Sequence, residues 1–292
     1  MKLSLAVKFN VVFLAVFVVG FIATSVATHY MLQQSARRET LETARLLMRS
    51  ATAASTYTAE QIVPLLENRL KFQFLPQSVP DFAAISHLQE LLKSYPDYAY
   101  KEATLNPTNP RDLADDWEKS LINNLRSQPT TDELVGERTD KDGPSLYIAR
   151  PIQIKDGACL ACHSTPDAAP KTMVDIYGAV NGFGWKLNDT IGAQLVSVPL
   201  ALPLQRANSM LHSYMLSMLG IFAVLLVALN VAVHLFVTRR LRQMSALADR
   251  VSLGETDVPP IDVSGNDELA RLGQSFGRMR TSLASAMKML EE

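Results

Sequence analysis

Two long apolar stretches without Asp, Glu, Lys or Arg dominate the pattern of this chain. The first covers residues 9–28 and the second covers residues 213–238. A helix needs about 20 mostly apolar residues to cross the hydrocarbon core of a membrane, and both stretches reach that length. The pattern therefore predicts two transmembrane helices, at residues 9–29 and 212–238.

Basic residues flank both predicted spans on the same side of the membrane. Lys2 and Lys8 precede the first span, and Arg239, Arg240 and Arg242 follow the second. Basic flanks favour the cytoplasm, so both chain ends are predicted to lie inside and the segment between the spans outside. The predicted order is a cytoplasmic N-terminus (1–8), a first span (9–29), a periplasmic domain (30–211, core about 40–200), a second span (212–238) and a cytoplasmic region (239–292).

A cleaved signal peptide is the alternative interpretation of the first apolar stretch. Ser25-Val26-Ala27 has the small residues of a cleavage site. The apolar core of a signal peptide is usually about 7–15 residues, which is shorter than this stretch. The length favours an uncleaved anchor, in a two-pass protein of a bacterial inner membrane.

The segment between the spans alternates between helical and strand periodicity. Apolar or small residues recur every three or four positions from Leu41 to Leu65, which predicts a packed helix or coiled coil that Pro64 bends or ends. Further helices are predicted in SVPDFAAISHLQELL and ADDWEKSLINNLRS, and strands in DYAYKEATL, SLYIARPIQI and GAQLVSVPL. This order predicts a mixed α/β (α+β) domain on an antiparallel sheet.

The two cysteines of the chain lie in one short motif of the predicted outer domain. Cys159 and Cys162 are three residues apart, and His163 follows directly. A disulfide or thioredoxin-like couple would not need this histidine, and a zinc site would need further cysteine or histidine ligands with zinc spacing. Cys-x-x-Cys-His is the spacing of covalent c-type haem attachment, and this interpretation also fits the predicted compartment.

The spacing has a chemical reason. Two thiols on one turn reach the two vinyl groups on one edge of a porphyrin, and the adjacent histidine then lies under the iron. Cys159 and Cys162 are therefore predicted to form the thioethers of a single haem c, with His163 as the proximal iron ligand.

The sixth iron ligand is open at this point. Met48, Tyr57, His87 and Met173 are the candidates of the outer segment, and an open or water-filled position is an equal alternative. Met48 lies on the apolar helical seam, where packing is the ordinary role, and methionine often fills gaps in cores. His87 lies on an amphipathic helix, where a surface position is the ordinary role.

Other residues near the motif are candidates for the haem pocket. The glycine-rich YGAVNGFGWKL predicts close approach of the backbone, and its Tyr177, Phe183 and Trp185 are candidate pocket walls or ordinary core aromatics. Arg150, on the strand before the motif, is a candidate partner for a haem propionate or a solvated strand residue.

The region after the second span has two amphipathic helical segments. The first contains RRLRQMSALADRV and stops at Gly254, and a connector with Pro259 and Pro260 follows. The second begins at Asp267-Glu268, where acidic residues suit a helix N-terminus. One chain cannot bury both apolar stripes, so a parallel homodimer with a four-helix bundle is predicted.

Both regions resemble known families. The outer segment, with YTAEQIVPLL, SVPDFAA, YAYKEATLNPTNPRDLADDWE, YIARPI, CLACHSTP and GFGWKL…GAQLVSVP, resembles a periplasmic c-type haem domain that was long known only as a domain of unknown function. The resemblance implies a PAS-like fold and a haem sensor module. The region after the second span resembles the HAMP linker of bacterial transmembrane receptors, through its proline-bearing connector and DELARLGQSFGRM.

These features predict a haem-based transmembrane sensor. The balance of 28 basic and 29 acidic residues gives no reason to expect a nucleic-acid ligand. We expect a homodimer formed through the HAMP and membrane-proximal helices, a diatomic gas or redox partner outside, and a kinase or cyclase in trans inside. No catalytic output domain is expected. The alternative is a membrane-anchored electron-transfer cytochrome, which needs no HAMP pair.

Overall fold

The structure is a computed structural model that describes residues 5–140, 143–255, 259 and 266–291. It forms two compact units, one of residues 29–210 and one of residues 1–28 and 211–292. Its α-helices are α1 (Leu5–Tyr57), α2 (Val63–Leu70), α3 (Pro80–Leu92), α4 (Asp116–Ser127), α5 (Leu160–His163), α6 (Lys171–Tyr177), α7 (Ala201–Ala232), α8 (Arg239–Ser252) and α9 (Glu268–Glu291).

Helix α1 is a single helix of 53 residues. It does not end at Pro64, because a π-helical turn, Thr58–Ile62, follows α1 and leads directly into α2. Pro64 lies in the first turn of α2, directly after the π-helical turn, and it has no N–H to donate to a carbonyl of that turn. The prediction that Pro64 ends the helix is therefore wrong: a π-helical turn lies before the proline and two more α-helical turns follow.

The unit of residues 29–210 contains one antiparallel sheet. Its strands are β1 (Ala99–Thr104), β2 (Leu134–Asp140), β3 (Gly143–Gln153) and β4 (Thr190–Pro199). The strands lie in the order β1-β4-β3-β2, so the last strand in sequence lies between the first and the third. Ala103 pairs with Ala193, and Arg150 pairs with Gln194, across the central strand. The predicted strands are present, and β2 is an addition that the sequence pattern had not indicated.

Helices cover both faces of the sheet. On one face, α1 and α3 bury the apolar seam against strand residues such as Ile148 and Val196. On the other face, α4 buries Leu121, Ile122 and Leu125 against the alanines of the central strands. The capping box of α4, in which Asp115 and Glu118 bond each other's backbone N–H, fixes where that helix begins. The mixed α/β fold class with an antiparallel sheet is confirmed.

The second unit, residues 1–28 and 211–292, contains the apolar parts of two long helical stretches. Within the described residues, Ala6–Leu70 and Ala201–Ser252 are continuous helical stretches whose apolar windows are long enough to span a membrane. Asn10 and Asn230 donate amide hydrogen bonds to each other, at 2.8 and 2.9 Å. The Phe17 ring stacks on the Phe222 ring with centroids 3.4 Å apart. The two predicted spans are thus joined by polar and aromatic contacts.

The last part of the chain has the predicted pair of helices. Helix α8 ends at Ser252, and Gly254 follows with φ of +90°, a conformation that glycine adopts without strain. Helix α9 begins after Asp267, whose carboxylate accepts from the Ala270 N–H at 2.7 Å. Most of the proline-containing connector that we predicted lies outside the described residues.

Candidate functional site

The Cys-x-x-Cys-His motif forms a compact turn that follows strand β3. Asp156 caps this turn by accepting from the Ala158 N–H at 2.8 Å. A 3-10 turn, Gly157–Cys159, then continues into α5, Leu160–His163. The side chains of Cys159 and Cys162 are both half-buried, and both thiols are free. The turn therefore presents two unpaired thiols and an imidazole from two consecutive turns of helix.

Burial keeps both thiols in their protonated form. Desolvation raises the pKa of Cys159, and the nearby carboxylates of Asp156 and Asp81 raise it further. Desolvation also raises the pKa of Cys162, with a smaller contribution from Cys159. A reactive redox cysteine has a lowered pKa, so these thiols lack the electrostatic setting of a thioredoxin-like couple.

The ring of His163 is held through its Nδ1 atom. Nδ1 lies 2.8 Å from the Gly182 carbonyl oxygen and 3.4 Å from Thr108 Oγ1. A carbonyl oxygen only accepts, so the contact with Gly182 requires a proton on Nδ1. Among the residues that the structure describes, Nε2 has no hydrogen-bond partner. In the neutral imidazole, Nε2 then carries the free lone pair, as a metal ligand requires.

The surroundings of His163 favour this neutral form. Desolvation lowers the pKa of His163, and this effect exceeds the opposing effects of the Gly182 carbonyl and Asp81. The indole of Trp185 stacks on the imidazole with centroids 3.9 Å apart and an interplanar angle of 15°. The backbone N–H of Trp185 also donates to the backbone carbonyl of His163 at 3.3 Å. The ring is therefore fixed in orientation, on one face by an aromatic plane and at one edge by a hydrogen bond.

A loop from another part of the domain supports the acceptor of His163. Asn106 Oδ1 accepts from the Gly182 N–H, and Asn106 Nδ2 donates to the Phe183 carbonyl, both at 3.1 Å. Gly182 has φ of +84°, and a Cβ added there would lie 2.8 Å from Thr108 Cα. The close approach of the backbone that the glycine-rich stretch predicted is present at Gly182.

Asp81, at the start of α3, interacts electrostatically with His163. Its side chain is exposed to solvent. The protein atoms around it nevertheless raise the pKa of its carboxyl, while the Ser55 hydroxyl and His163 act to lower that pKa.

A second acidic group lies deeper on the same sheet face. Glu102 on β1 is 5% exposed, and burial, followed by the charge of Asp81, raises its pKa to about 8. The Tyr100 hydroxyl donates to Glu102 Oε1 at 2.5 Å, and Gln194 Nε2 donates to the same oxygen at 3.4 Å. Burial thus makes the Glu102 carboxyl hold its proton to higher pH than an ordinary glutamate does.

The candidate sixth ligands occupy four different environments. Met48 is fully buried in the core between α1 and α3, and Met173 on α6 is 2% exposed. His87 is exposed on α3, where its Nε2 lies 3.2 Å from Ser50 Oγ. Tyr57 is 60% exposed. Core packing already explains the position of Met48. A role as iron ligand stays a prediction for Met48, His87 and Met173.

Arg150 is paired with a carboxylate of the protein. Its Nε and Nη2 atoms donate to Glu133 Oε2 at 3.2 and 2.9 Å. The other oxygen of Glu133 accepts from Arg45 of α1, at 2.9 and 3.1 Å. One carboxylate therefore joins the helix that continues into the first apolar stretch to the strand that leads into the Cys-x-x-Cys-His turn. A contact of Arg150 with a haem propionate stays a prediction.

The three aromatic residues that we predicted as pocket walls have different surroundings. Trp185 packs directly on His163. Phe183 is half-buried and contributes its carbonyl to the Asn106 contact. The ring of Tyr177 makes an edge contact with Phe74, with centroids 6.3 Å apart. Trp185 is thus the predicted wall residue that contacts the motif directly.

Sequence reasoning missed three polar residues of this site. Asn106 and Thr108 lie in LNPTNP, which we interpreted only as a turn, and Asp81 lies in a helix start. All three are more than fifty residues from His163 in sequence, so no local pattern connects them to it. The second Asn-Pro pair so close to the first was a signal that this turn has a defined shape.

The fold and the site together define a class of protein. A mixed α/β domain with this turn lies between two helices able to span a membrane, and a pair of amphipathic helices follows. The model of the HAMP domain matches residues 232–285. The Tll0287-like family model (Tll0287) matches residues 33–199, more than half of the chain, so the chain belongs to the Tll0287-like family.

A comparison with solved structures finds a protein of the same name. It is the cyanobacterial heme-protein Tll0287, with 16% sequence identity and a TM-score of 0.39, and the match covers 52% of this chain and 94% of that chain. No curated protein matches the chain. A Tll0287-like domain joined to a HAMP domain suggests a membrane signal transducer, and HAMP domains generally act in dimers.

Proposed function

We propose that this protein is a transmembrane sensor with one haem c in its outer domain. Cys159 and Cys162 form the thioethers, and Nε2 of His163 is the proximal iron ligand. The observation that carries this proposal is the state of His163, whose Nδ1 is held by a carbonyl while Nε2 keeps its lone pair beside two free thiols. Membership of the Tll0287-like family supports a haem cofactor here.

The residues present fit such a group. The thiols are unpaired, protonated and half-exposed, so they are available for attachment. Trp185 covers one face of the imidazole, and the solvent-exposed Asp81 interacts with it electrostatically. When bound, a haem supplies one-electron redox chemistry and a binding position for a diatomic gas. The chain's own part is to orient the imidazole and to keep its Nε2 deprotonated.

The proposed topology places this chemistry outside the cytoplasm. Residues 30–211 form the periplasmic domain, residues 9–29 and 212–238 span the inner membrane, and residues 239–292 are cytoplasmic. Basic residues flank both spans on the proposed inner side, which supports this orientation. Covalent haem attachment occurs outside the cytoplasm, so the proposed cofactor and topology agree.

The proposed output is a change in a dimeric HAMP bundle that a partner protein reads. Helix α9 leaves Leu272, Met279 and Leu283 about half-exposed in the single chain. A second copy of the chain would cover them in a parallel four-helix bundle. The partner that we propose is a cytoplasmic kinase or cyclase in trans, which reads the rotation or packing state of that bundle.

The test of the cofactor is covalent pigment. We expect that protein purified from cells with a cytochrome c maturation system keeps its haem after denaturation and acid-acetone extraction. Cys159→Ala and Cys162→Ala should each lose one of the two thioether linkages. His163→Ala should change the spectrum that reports iron coordination. His29→Ala is the matched control, because His29 is an exposed histidine that is not among the candidate iron ligands. Complete extraction of the pigment, or a His163→Ala spectrum equal to that of wild type, would refute the assignment.

A second measurement separates a sensor from an anchored electron-transfer cytochrome. In the sensor, the spectrum of the outer domain changes with reduction or with carbon monoxide, and crosslinking between the HAMP helices of two copies changes with it. A cytochrome would show the spectral change alone. Crosslinking that is identical in the oxidised, reduced and gas-bound protein would therefore argue against signalling through HAMP.

A further inference from the structure

We propose that Asn106 is a positioning residue for the proximal histidine. It holds the Gly182–Phe183 backbone so that the Gly182 carbonyl accepts from Nδ1 of His163, which sets the tautomer and the donor strength of the imidazole. This inference deepens the proposed function and rests on it for its effect on iron. The Asn-Pro turn would then be part of the haem site.

The contacts of Asn106 lie on both sides of the carbonyl that matters. Its Oδ1 accepts from the Gly182 N–H and its Nδ2 donates to the Phe183 carbonyl, both at 3.1 Å. The Gly182 carbonyl belongs to the peptide between these two anchored groups. One side-chain amide thus fixes the backbone before and after the acceptor of His163, and the acceptor has little freedom to turn away.

The same turn also touches the histidine directly. Thr108 Oγ1 lies 3.4 Å from Nδ1 of His163. The positive φ of Gly182 brings its backbone so close to Thr108 that an added Cβ would lie 2.8 Å from Thr108 Cα. Asn106 and Thr108, two residues apart, therefore hold the acceptor and the imidazole together.

The hydrogen bond at Nδ1 has a known direction of effect. A proximal imidazole that donates from Nδ1 to a carbonyl has more electron density on Nε2, which stabilises ferric iron relative to ferrous iron. Loss of the Asn106 contacts frees the Gly182 carbonyl and weakens this bond. The midpoint potential should therefore rise when Asn106 is truncated.

Asn109 provides a matched control in the same turn. It also precedes a proline, but its Oδ1 accepts from the Arg111 N–H at 3.2 Å and caps the 3-10 turn Pro110–Asp112. Among its contacts within the described residues, none involves His163 or the 182–183 backbone. Truncation of Asn109 thus perturbs the turn without touching the acceptor.

The first experiment measures potential in the haem-loaded full-length protein. Loss of the hydrogen-bond partner of a metal-ligating histidine typically costs about 10–100-fold in metal affinity or activity, and Asn106 acts one contact further out, so we take the lower end of this range. For Asn106→Ala we expect about a tenfold shift of the reduction equilibrium toward ferrous iron, or about 59 mV for one electron. Asn109→Ala should leave the potential within a few millivolts of wild type. Asn106→Ser, which keeps one hydroxyl for the backbone, should give a smaller shift in the same direction.

The second experiment needs no haem. The chain has five histidines, so ¹⁵N-histidine spectra of the haem-free protein are sparse, and His163→Ala identifies the resonance of His163. Wild type and Asn109→Ala should show His163 with its proton on Nδ1. Asn106→Ala should show a mixture of the two neutral tautomers.

The outcomes separate this inference from the proposed function. Equal potentials for the Asn106 and Asn109 variants, or an unchanged Nδ1–H tautomer in haem-free Asn106→Ala, would overturn the positioning role while leaving the haem assignment intact. Wild-type protein that acquires no covalent haem would overturn the proposed function. In that case the tautomer measurement still decides whether Asn106 positions His163. If Asn106→Ala does not fold, Asn106→Ser decides both measurements.

Discussion

Removal of the Glu133 carboxylate tests how the long helix is attached to the sheet. Glu133 accepts four hydrogen bonds, two from Arg45 of α1 and two from Arg150 of β3, at 2.9 to 3.2 Å. Glu133→Ala removes all four contacts at once. Glu137→Ala is the control, because Glu137 forms one ion pair with Arg37 of the same helix.

The expected loss in the free energy of unfolding follows from the solvent exposure of the three side chains. Hydrogen bonds to charged groups contribute about 1.5–3 kcal/mol each when well protected, while exposed ion pairs contribute about 0.2–1 kcal/mol. The Glu133 side chain is 17% exposed, and those of Arg45 and Arg150 are 34% and 30% exposed. Both guanidinium groups can therefore return to water when Glu133 is lost. We expect a loss of about 1–2 kcal/mol, below the roughly 3–5 kcal/mol of a fully buried pair.

The control should lose much less. The side chains of Arg37 and Glu137 are 45% and 44% exposed, so their ion pair is largely screened. We expect Glu137→Ala to cost about 0.5 kcal/mol or less. Raising the salt concentration to about 1 M should reduce the difference between the two variants, because screening shortens the range of exposed charges.

The assay is tryptophan fluorescence during denaturant unfolding of the full-length protein in detergent micelles. Both tryptophans, Trp117 and Trp185, belong to the unit of residues 29–210, so the signal reports on that unit alone. A loss of 1–2 kcal/mol corresponds to a decrease in Tm of roughly 2–8 °C for a domain of this size. Equal stability of the Glu133 and Glu137 variants would refute the bridging role of Glu133.

The pH dependence gives an independent check with a definite sign. Burial acts to raise the pKa of Glu133, but the hydrogen bonds from Arg150 and Arg45 outweigh it and hold the pKa below its ordinary value of 4.5. The contribution of Glu133 is therefore complete above about pH 4.5 and is lost as the pH falls through the lower folded-state pKa. The stability difference between wild type and Glu133→Ala should shrink in that acidic range and stay constant above it.

Three further predictions concern the buried acid, the backbone at the site and the apolar helices. Burial raises the pKa of Glu102 to about 8, so the stabilising effect of this group is complete below about pH 4.5 and is lost as the pH rises through 8. Glu102→Gln should therefore flatten the fall in Tm between pH 5 and 8.5. An unchanged slope of Tm against pH would contradict this environment of Glu102. Gly182→Ala should cost well over the roughly 1–2 kcal/mol of a positive φ, because of the contact with Thr108, whereas Gly184→Ala, with φ of +79° and open space around it, should cost only that strain in the same unfolding assay. Asn10→Leu and Asn230→Leu should show a coupling of about 0.6–1.7 kcal/mol in a double-mutant cycle, measured by SDS denaturation and circular dichroism; additive effects would show that the two amides do not pair.

Periodicity was sufficient to predict most of the elements of the outer domain. Strand β3 is rich in β-branched and aromatic residues, and α4 has an acidic cap and one apolar face. Strand β2 was missed because its sequence, LVGERTD, is short and largely polar. It lies at the edge of the sheet, where one side needs no partner strand and polar side chains remain in solvent.

Only the part of the candidate site whose residues are neighbours in the sequence could be predicted. The motif of Cys159, Cys162 and His163 is local, so the sequence alone indicates what it can bind. The contacts that orient His163 come from Asn106 and Gly182, which tertiary structure brings together. Periodicity also placed Met48 on a seam without showing that the seam packs against the sheet, and there the methionine is fully buried.

The contacts of α1 limit how a change at the proposed haem could act on the rest of the chain. Arg45 of α1 bonds Glu133, and Ser55, three helical turns later, acts to lower the pKa of Asp81. Moving a two-state bundle from 1:99 to 99:1 takes about 5.5 kcal/mol of differential stabilisation. The Glu133 contacts contribute about 1–2 kcal/mol, which corresponds to a factor of about 5–30 in an equilibrium constant. On the proposed function, Glu133→Ala should therefore bias the output and leave it responsive, because the larger part of the switching energy must come from the ligation of iron at His163.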